Sequence, residues 1–196
     1  LSWIYSLIMD LRNWAYDGGI FKPLKLEIPV VSIGNLTLGG TGKTPVIAMF
    51  LEWCRYQGIR AAVISRGYKR AGHGVMSVDP NDVNRGGAYY GDEPFWLAQK
   101  FREFQIVVAE DRVEGAHLSI QTYHPQLIFL DDGFQHRRLA RDIDVVLIDA
   151  TEPSSSYRGF PLGRLREKMS GVRRAQFVML TKKNLVRVDH YSELVR

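Results

Sequence analysis

The 196 residues carry 45% hydrophobic and 24% charged side chains, with no low-complexity tract and no internal repeat. That balance excludes a disordered, fibrous or repeat protein and suits one domain with a real core. A formal charge of +5 and a pI near 9.4 fit an anionic partner, whether nucleotide, phospholipid surface or nucleic acid, without choosing among them. The single cysteine, Cys54, excludes an internal disulfide. No secretory leader is visible, so a reducing cytosolic setting is expected. The chain opens on Leu1 rather than Met and stops at Arg196 just after a strand-like run, so a piece of a longer protein is expected.

Residues 1–21 place Trp3, Leu7, Leu11 and Trp14 at helical spacing, with Ile4, Ile8 and Tyr5 widening the stripe. Asp10, Arg12 and Asn13 interrupt it too often for a bilayer span. Two readings stand open: a helix lying in a membrane interface, helped by Lys22 and Lys25, or a helix packed on the domain core. After Pro29 the pattern alternates. Strands are expected at 30–33, 60–65, 105–109, 127–130, 143–148 and 177–180, with helices at 44–56, 94–102 and 112–123. Short apolar strands separated by helices predict βαβ units, hence an α/β fold with a parallel sheet covered on both faces. Ligands of such sheets bind at the carboxyl ends of the strands.

The first of those ends carries Thr37-Leu38-Gly39-Gly40-Thr41-Gly42-Lys43-Thr44, between a buried strand and a helix. A triphosphate needs close backbone N–H donors, which side chains would block, and the helix N-terminus adds its dipole. Gly39, Gly40, Thr41, Gly42, Lys43 and Thr44 are therefore expected to bind a nucleotide. Lys43 would reach the β- and γ-phosphates, and the Thr44 hydroxyl would ligate Mg²⁺. Thr37 stands where the general pattern has glycine. The Gly-Gly spacing is that of a loop found in dimeric ATPases and adaptors, which carry lysine where this chain has Leu38.

Asp131 and Asp132 follow the strand at 127–130, where an acid in phosphate-loop proteins holds Mg²⁺ opposite the loop threonine. Adjacent strand residues point to opposite sides, so one of the two is expected to face the metal directly. Gly91-Asp92-Glu93-Pro94 reads either as a helix cap with a first-turn acid or as a site in which Asp92 takes a proton from an attacking hydroxyl. Ser65-Arg66-Gly67-Tyr68 ends another strand; Arg66 is either a solvated loop arginine or a contact to transferring phosphate. Residues 158–174 hold five arginines among glycines and proline, a loop whose cations suit an anionic substrate or lipid headgroups. Thr181-Lys182-Lys183-Asn184 is partly like the guanine-reading motif of GTPases but lacks its final aspartate.

Taken in order, these stretches resemble the lipid A 4′-kinase (tetraacyldisaccharide 4′-kinase) family. The match runs through Pro29-Val30-Val31-Ser32-Ile33-Gly34-Asn35-Leu36-Thr37, the loop to Pro45, Ser65-Arg66-Gly67-Tyr68 and Gly91-Asp92-Glu93-Pro94. It continues through Asp131-Asp132-Gly133-Phe134-Gln135-His136 and Pro161-Leu162-Gly163-Arg164-Leu165-Arg166-Glu167. The resemblance implies a P-loop kinase domain that transfers the γ-phosphoryl of ATP, with Mg²⁺, to the 4′-hydroxyl of a tetraacylated glucosamine disaccharide 1-phosphate. It also implies peripheral attachment to the cytoplasmic face of the bacterial inner membrane by the N-terminal helix. By the same likeness, Asp92 activates the acceptor hydroxyl, helped by Lys43 and Arg66. Thr44, Asp131, Asp132 and Glu167 form the metal site, and Arg112, Gln135, His136 and Arg166 touch substrate or phosphate. Residues 1–27 are then a membrane-associating segment and 28–196 the kinase domain. The family's second, smaller α/β domain, with a histidine that pairs with the catalytic aspartate, is expected to lie outside this chain. No nucleic-acid partner is expected, and a monomer is. Two rivals remain: an ATPase or GTPase switch or adaptor of the Gly-Gly loop class, and a small-molecule kinase or ligase with a soluble substrate.

Overall fold

The computed structural model describes residues 2–159 and 162–185, with side chains except those of residues 2–6, 154 and 155. The side chains of Trp3, Ile4 and Tyr5, together with Pro161 and residues 186–196, lie outside that description. The elements are α1 (Ser2–Asp17), β1 (Val30–Asn35), α2 (Lys43–Gln57), β2 (Ala61–Ser65), β3 (Met76–Ser77) and α3 (Gly86–Tyr90). They continue with α4 (Asp92–Lys100), β4 (Gln105–Val108), α5 (Arg112–Tyr123), β5 (Leu127–Asp131), β6 (Ile143–Asp149) and β7 (Phe177–Thr181).

Among the described residues, the seven strands join one sheet in the order β3-β4-β2-β5-β1-β6-β7. Every pairing is parallel except that of β3 with β4. The carboxyl ends of β1, β2, β5, β6 and β7 therefore come out on one edge, where Asn35, Ser65, Asp131, Asp149 and Thr181 stand side by side.

Strand alternation divides the core. Ile33, Val63, Phe129, Val145 and Leu147 pack under α2 and α4 with Ile47, Leu51, Leu97 and Phe101. Val30, Ile64, Val107, Ile128 and Leu130 turn to the other face, against Ala116 of α5. A third cluster, Leu36, Phe134, Val146 and Leu165, fills the β6 side beneath the loop segments that follow β5 and β6.

All six expected strands form. The structure adds β3 and α3, which the sequence pattern does not signal. A two-residue strand is too short for periodicity, and α3 opens with two glycines, poor helix formers. Tertiary bonds hold α3 instead: Gly86 N–H donates to Asp82 O, and the Tyr90 hydroxyl donates to the Asp82 carboxylate at 3.0 Å.

The N-terminal helix docks by its polar side. Arg12 donates to Gln135 O at 2.7 Å, Asn13 donates to Glu167 at 3.2 Å, and Asp10 pairs with Lys168 at 2.7 Å. Arg137 grips Asp17 and the Asn13 carbonyl. The apolar positions Leu7, Ile8, Leu11 and Trp14 face outward, with Trp14 64% exposed. The core-packing reading of that stripe is thus not what the fold does. Residues 24–28 return to the body, where Leu24 bridges to Leu139 and Leu26 and Ile28 pack on the second core layer.

Candidate active site

The phosphate loop leaves β1 and enters α2 through Gly42, whose φ of 81° lies in the left-handed region that favours glycine. Lys43 opens the helix, and its ammonium sits 3.2 Å from Asn35 Oδ1 and 3.4 Å from Asp132 Oδ1. The Thr44 hydroxyl donates to Glu93 Oε2 at 2.6 Å. The two residues that open the α2 helix are therefore already turned towards carboxylates just after β5 and in the first turn of α4.

Asp131 closes β5 opposite Ile33 of β1, and it is only 5% exposed. Its Oδ2 accepts from the Ser65 hydroxyl at 2.7 Å, while Oδ1 has no hydrogen-bond partner. Burial pushes this carboxyl up to about 6; the Ser65 bond works against that rise and Asp132 adds to it. Asp132 behaves oppositely. Burial would raise it, but Lys43 and Arg166 outweigh burial and hold it below the usual carboxylate range. Arg166 donates to its Oδ2 at 2.7 Å.

The strand alternation expected for this pair does not apply to Asp132. Its φ of 53° takes it off the strand, so the backbone rather than the pleat aims its side chain. The turn is made possible by Gly133, where a Cβ would come within 2.6 Å of Leu130 and 2.9 Å of Ser32.

Two of the sequence motifs meet backbone to backbone. A Cβ on Gly91 would lie 3.2 Å from Gly67 Cα, so the end of β2 and the start of α4 touch where neither residue has a side chain. That contact brings Arg66, on the loop after β2, towards Asp92 and Glu93 in the first turn of α4, all three exposed. Asp92 folds back over Gly87, where any Cβ would collide with its Oδ1.

The remaining expected residues form a second layer. Gln135 donates to Asn35 O at 2.9 Å and to Glu167 Oε1 at 3.1 Å, and it accepts from Arg166 at 3.4 Å. Glu167 is buried and held by Arg174 at 2.7 Å, with Asn13 of α1 on the same oxygen. Glu167 thus binds the N-terminal helix to the 167–174 segment, next to a groove of about 350 Å³ lined by Asp10, Trp14, Lys168 and Arg173.

Arg112 is buried, with Nε unpartnered and NH1 on Glu110 O at 3.2 Å. Burial lowers its affinity for a proton, against the pull of Asp132 and Asp131. His136 lies 3.6 Å from Asp111. Burial and the charges of Arg112, Arg138 and Arg141 nonetheless outweigh that acid and depress the imidazole to about 4. The ring is therefore neutral at neutral pH.

Sequence reasoning gave no site role to Asn35, Ser65, Asp149, Thr181 and Lys182, although it saw Ser65 at a strand end and weighed Thr181 and Lys182 as part of a guanine-reading motif. Each ends a strand or follows one directly, so the strand-end rule applied to every strand would have found them.

The chain matches the family LpxK, tetraacyldisaccharide-1-P 4′-kinase, over residues 1–193. It belongs to that family. Named tetraacyldisaccharide 4′-kinases agree: that of Chlorobium luteolum is 45% identical over 183 residues, covering 91% of this chain and 52% of the relative. That of Bdellovibrio bacteriovorus is 41% identical over 194 residues, covering 99% of this chain and 57% of the relative. A crystal structure of "apo" form LpxK from Aquifex aeolicus in complex with ATP superposes with a TM-score of 0.83 at 35% identity, over 94% of this chain and 57% of that one. The chain thus spans about half the length of the LpxK relatives it matches. Its seven-stranded sheet and flanking helices are the P-loop kinase fold of LpxK.

Proposed function

We propose that this chain carries the nucleotide-binding half of a lipid A 4′-kinase, which transfers the γ-phosphoryl of ATP to the 4′-hydroxyl of a tetraacylated glucosamine disaccharide 1-phosphate. The observation that carries the reading is the convergence of Asp132 and Glu93 on Lys43 and Thr44 of the loop at 39–44, with the buried Asp131 beside Asp132, within a chain that belongs to the LpxK family. The nucleotide-switch rival gains no support from that membership.

The acids fit Mg²⁺. Among the described residues no group of three or more His, Cys, Asp or Glu side chains could hold a metal by itself. Mg²⁺ does not need one, because it is commonly held by one or two carboxylates, a hydroxyl and the phosphates themselves. Asp131 Oδ1 and Asp132 Oδ1 are buried without a hydrogen bond, and Thr44 offers its hydroxyl. Thr44, Asp131 and Asp132 would hold the ion, which when bound neutralises charge on the β- and γ-phosphates. Glu167 would act through Gln135 and Arg166, since Arg174 and Asn13 already engage its carboxylate.

Lys43 and the loop amides bind the phosphates, Arg66 and Arg166 add cations at the open side, and Arg112 lies behind Asp132. Asp92 stands at the lip as the base for the acceptor hydroxyl, with Gln135 and His136 lining the same edge. The outward stripe of Leu7, Ile8, Leu11 and Trp14, on a helix fixed by its polar side, supports seating on the cytoplasmic face of the inner membrane, next to an acylated acceptor. No helix among the described residues is long and apolar enough to cross a membrane. We read the protein as a monomer with no nucleic-acid partner.

The test is Asp92→Ala. Transfer should fall by about a hundredfold or more while ATP affinity stays within about threefold, because the base acts on the acceptor. Full activity of the variant would remove Asp92 from its role.

A further inference from the structure

We propose that Thr181, Lys182 and Asp149, at the ends of β7 and β6, form a strap that holds the phosphate loop in its receiving shape; this rests on the reading of residues 39–44 as a nucleotide site. A loop that turns its N–H groups towards an anion turns carbonyls away from it, and those oxygens need partners of their own. Here the partners come from β7. The Thr181 hydroxyl donates to Thr41 O at 2.7 Å, and Lys182 Nζ donates to Gly40 O at 2.9 Å. Thr181 also packs on the loop itself: a Cβ added to Gly42 would lie 3.7 Å from Thr181 Cβ.

Lys182 is held in place from behind. Its ammonium pairs with Asp149 Oδ2, while Asp149 Oδ1 accepts from Thr151 N–H at 2.9 Å and from the Thr151 hydroxyl at 2.6 Å. Asp149 is buried and both of its oxygens are engaged, so it anchors the half-exposed lysine beside the loop carbonyl. Lys182 adopts a φ of 56°, an uncommon conformation for a residue other than glycine. That turn carries the side chain from the sheet edge to the loop. The bond from Ala150 N–H to Thr181 O keeps the two strand ends together at the same point. Lys182 and Thr181 are positioning residues: they act on the phosphates through the shape of Gly40 and Thr41.

The test is MgATP affinity by calorimetry in the wild type, Lys182→Met, Lys182→Arg and Thr181→Val, with backbone amide exchange at residues 39–43. A net hydrogen bond to a charged group and its tenfold steps set the scale. Lys182→Met should bind MgATP about tenfold to a hundredfold more weakly, with faster exchange confined to the loop, and Lys182→Arg should recover part of the affinity. Thr181→Val, nearly isosteric, should give a several-fold loss with an unchanged unfolding midpoint, and it decides the matter if Lys182→Met does not fold. Wild-type affinity and loop exchange in Lys182→Met, or in Thr181→Val, would overturn the strap. A wild type that binds no nucleotide would instead overturn the function on which the strap rests.

Discussion

Asp131 is buried with one carboxylate oxygen unpartnered, a cost to stability that the proposed Mg²⁺ would offset, and Asp131→Asn measures that cost. Burial lifts its carboxyl from about 3.8 to about 6. Between those values the folded chain keeps a proton that the unfolded chain has lost. Stability from this group is therefore full below the unfolded value, falls as pH rises through the window, and stays lower above about 6. A rise of that size corresponds to about 3 kcal/mol. Asparagine keeps the acceptor for Ser65 and does not titrate. Its amide introduces a fixed cost or gain, but that offset is the same at every pH. The stability difference between Asp131→Asn and wild type should thus rise by about 2–3 kcal/mol from pH 4 to pH 7 in the absence of divalent cations. Denaturant unfolding followed by tryptophan fluorescence at unit pH steps reads it directly. Mg²⁺ with ATP should close the gap by stabilising only the wild type. A difference that does not change with pH would refute the buried, raised carboxyl.

His136 titrates with the opposite sign. Its folded value is depressed to about 4, so its contribution is present above about 6.5 and is lost as pH falls towards 4. His136→Gln should remove about 3 kcal/mol of acid destabilisation from the pH–stability curve; an unaltered acid limb would contradict the neutral ring. Lys43→Ala should weaken MgATP binding at least about tenfold, since Asp132 is left with Arg166 and the phosphates lose a cation. Calorimetry checks it, and unchanged affinity would place the nucleotide elsewhere. Replacing Leu7, Leu11 and Trp14 together by serine should reduce partition into anionic liposomes by more than about tenfold, given the worth of burying such side chains. Equal partition of the triple variant and wild type would count against the membrane surface, whereas equal thermal stability would fit a stripe that lies outside the core.

Much of the architecture is legible from the sequence because the sheet is parallel. Val30, Val31 and Ile33, broken only by Ser32, and the continuous run from Ala61 to Ile64 need cover on both faces, and helical patterns lie between them. The phosphate loop is legible because its chemistry is local: three glycines, a lysine and two threonines within six residues. What lay hidden depends on distant pairings. Asp132-Gly133 signals a turn, but nothing near it announces that Asp132 itself takes the positive φ and meets Arg166. Nothing near Thr181 or Lys182 announces that the partners are carbonyls of Thr41 and Gly40. The N-terminal helix shows the same limit. Its stripe is plain in the sequence, but its direction is fixed by Arg12, Asn13 and Asp10 reaching Gln135, Glu167 and Lys168, more than a hundred residues away.

The central claim is that the loop at 39–44 delivers a phosphoryl group to a lipid hydroxyl. Its most direct measurement is incubation of the protein at its natural full length with ATP labelled in the γ-phosphate, Mg²⁺ and purified tetraacyldisaccharide 1-phosphate. Label should appear on the 4′-position of the lipid, and both chelation of Mg²⁺ and Asp92→Ala should abolish it. Label released only as inorganic phosphate, with none on the lipid, would contradict that claim.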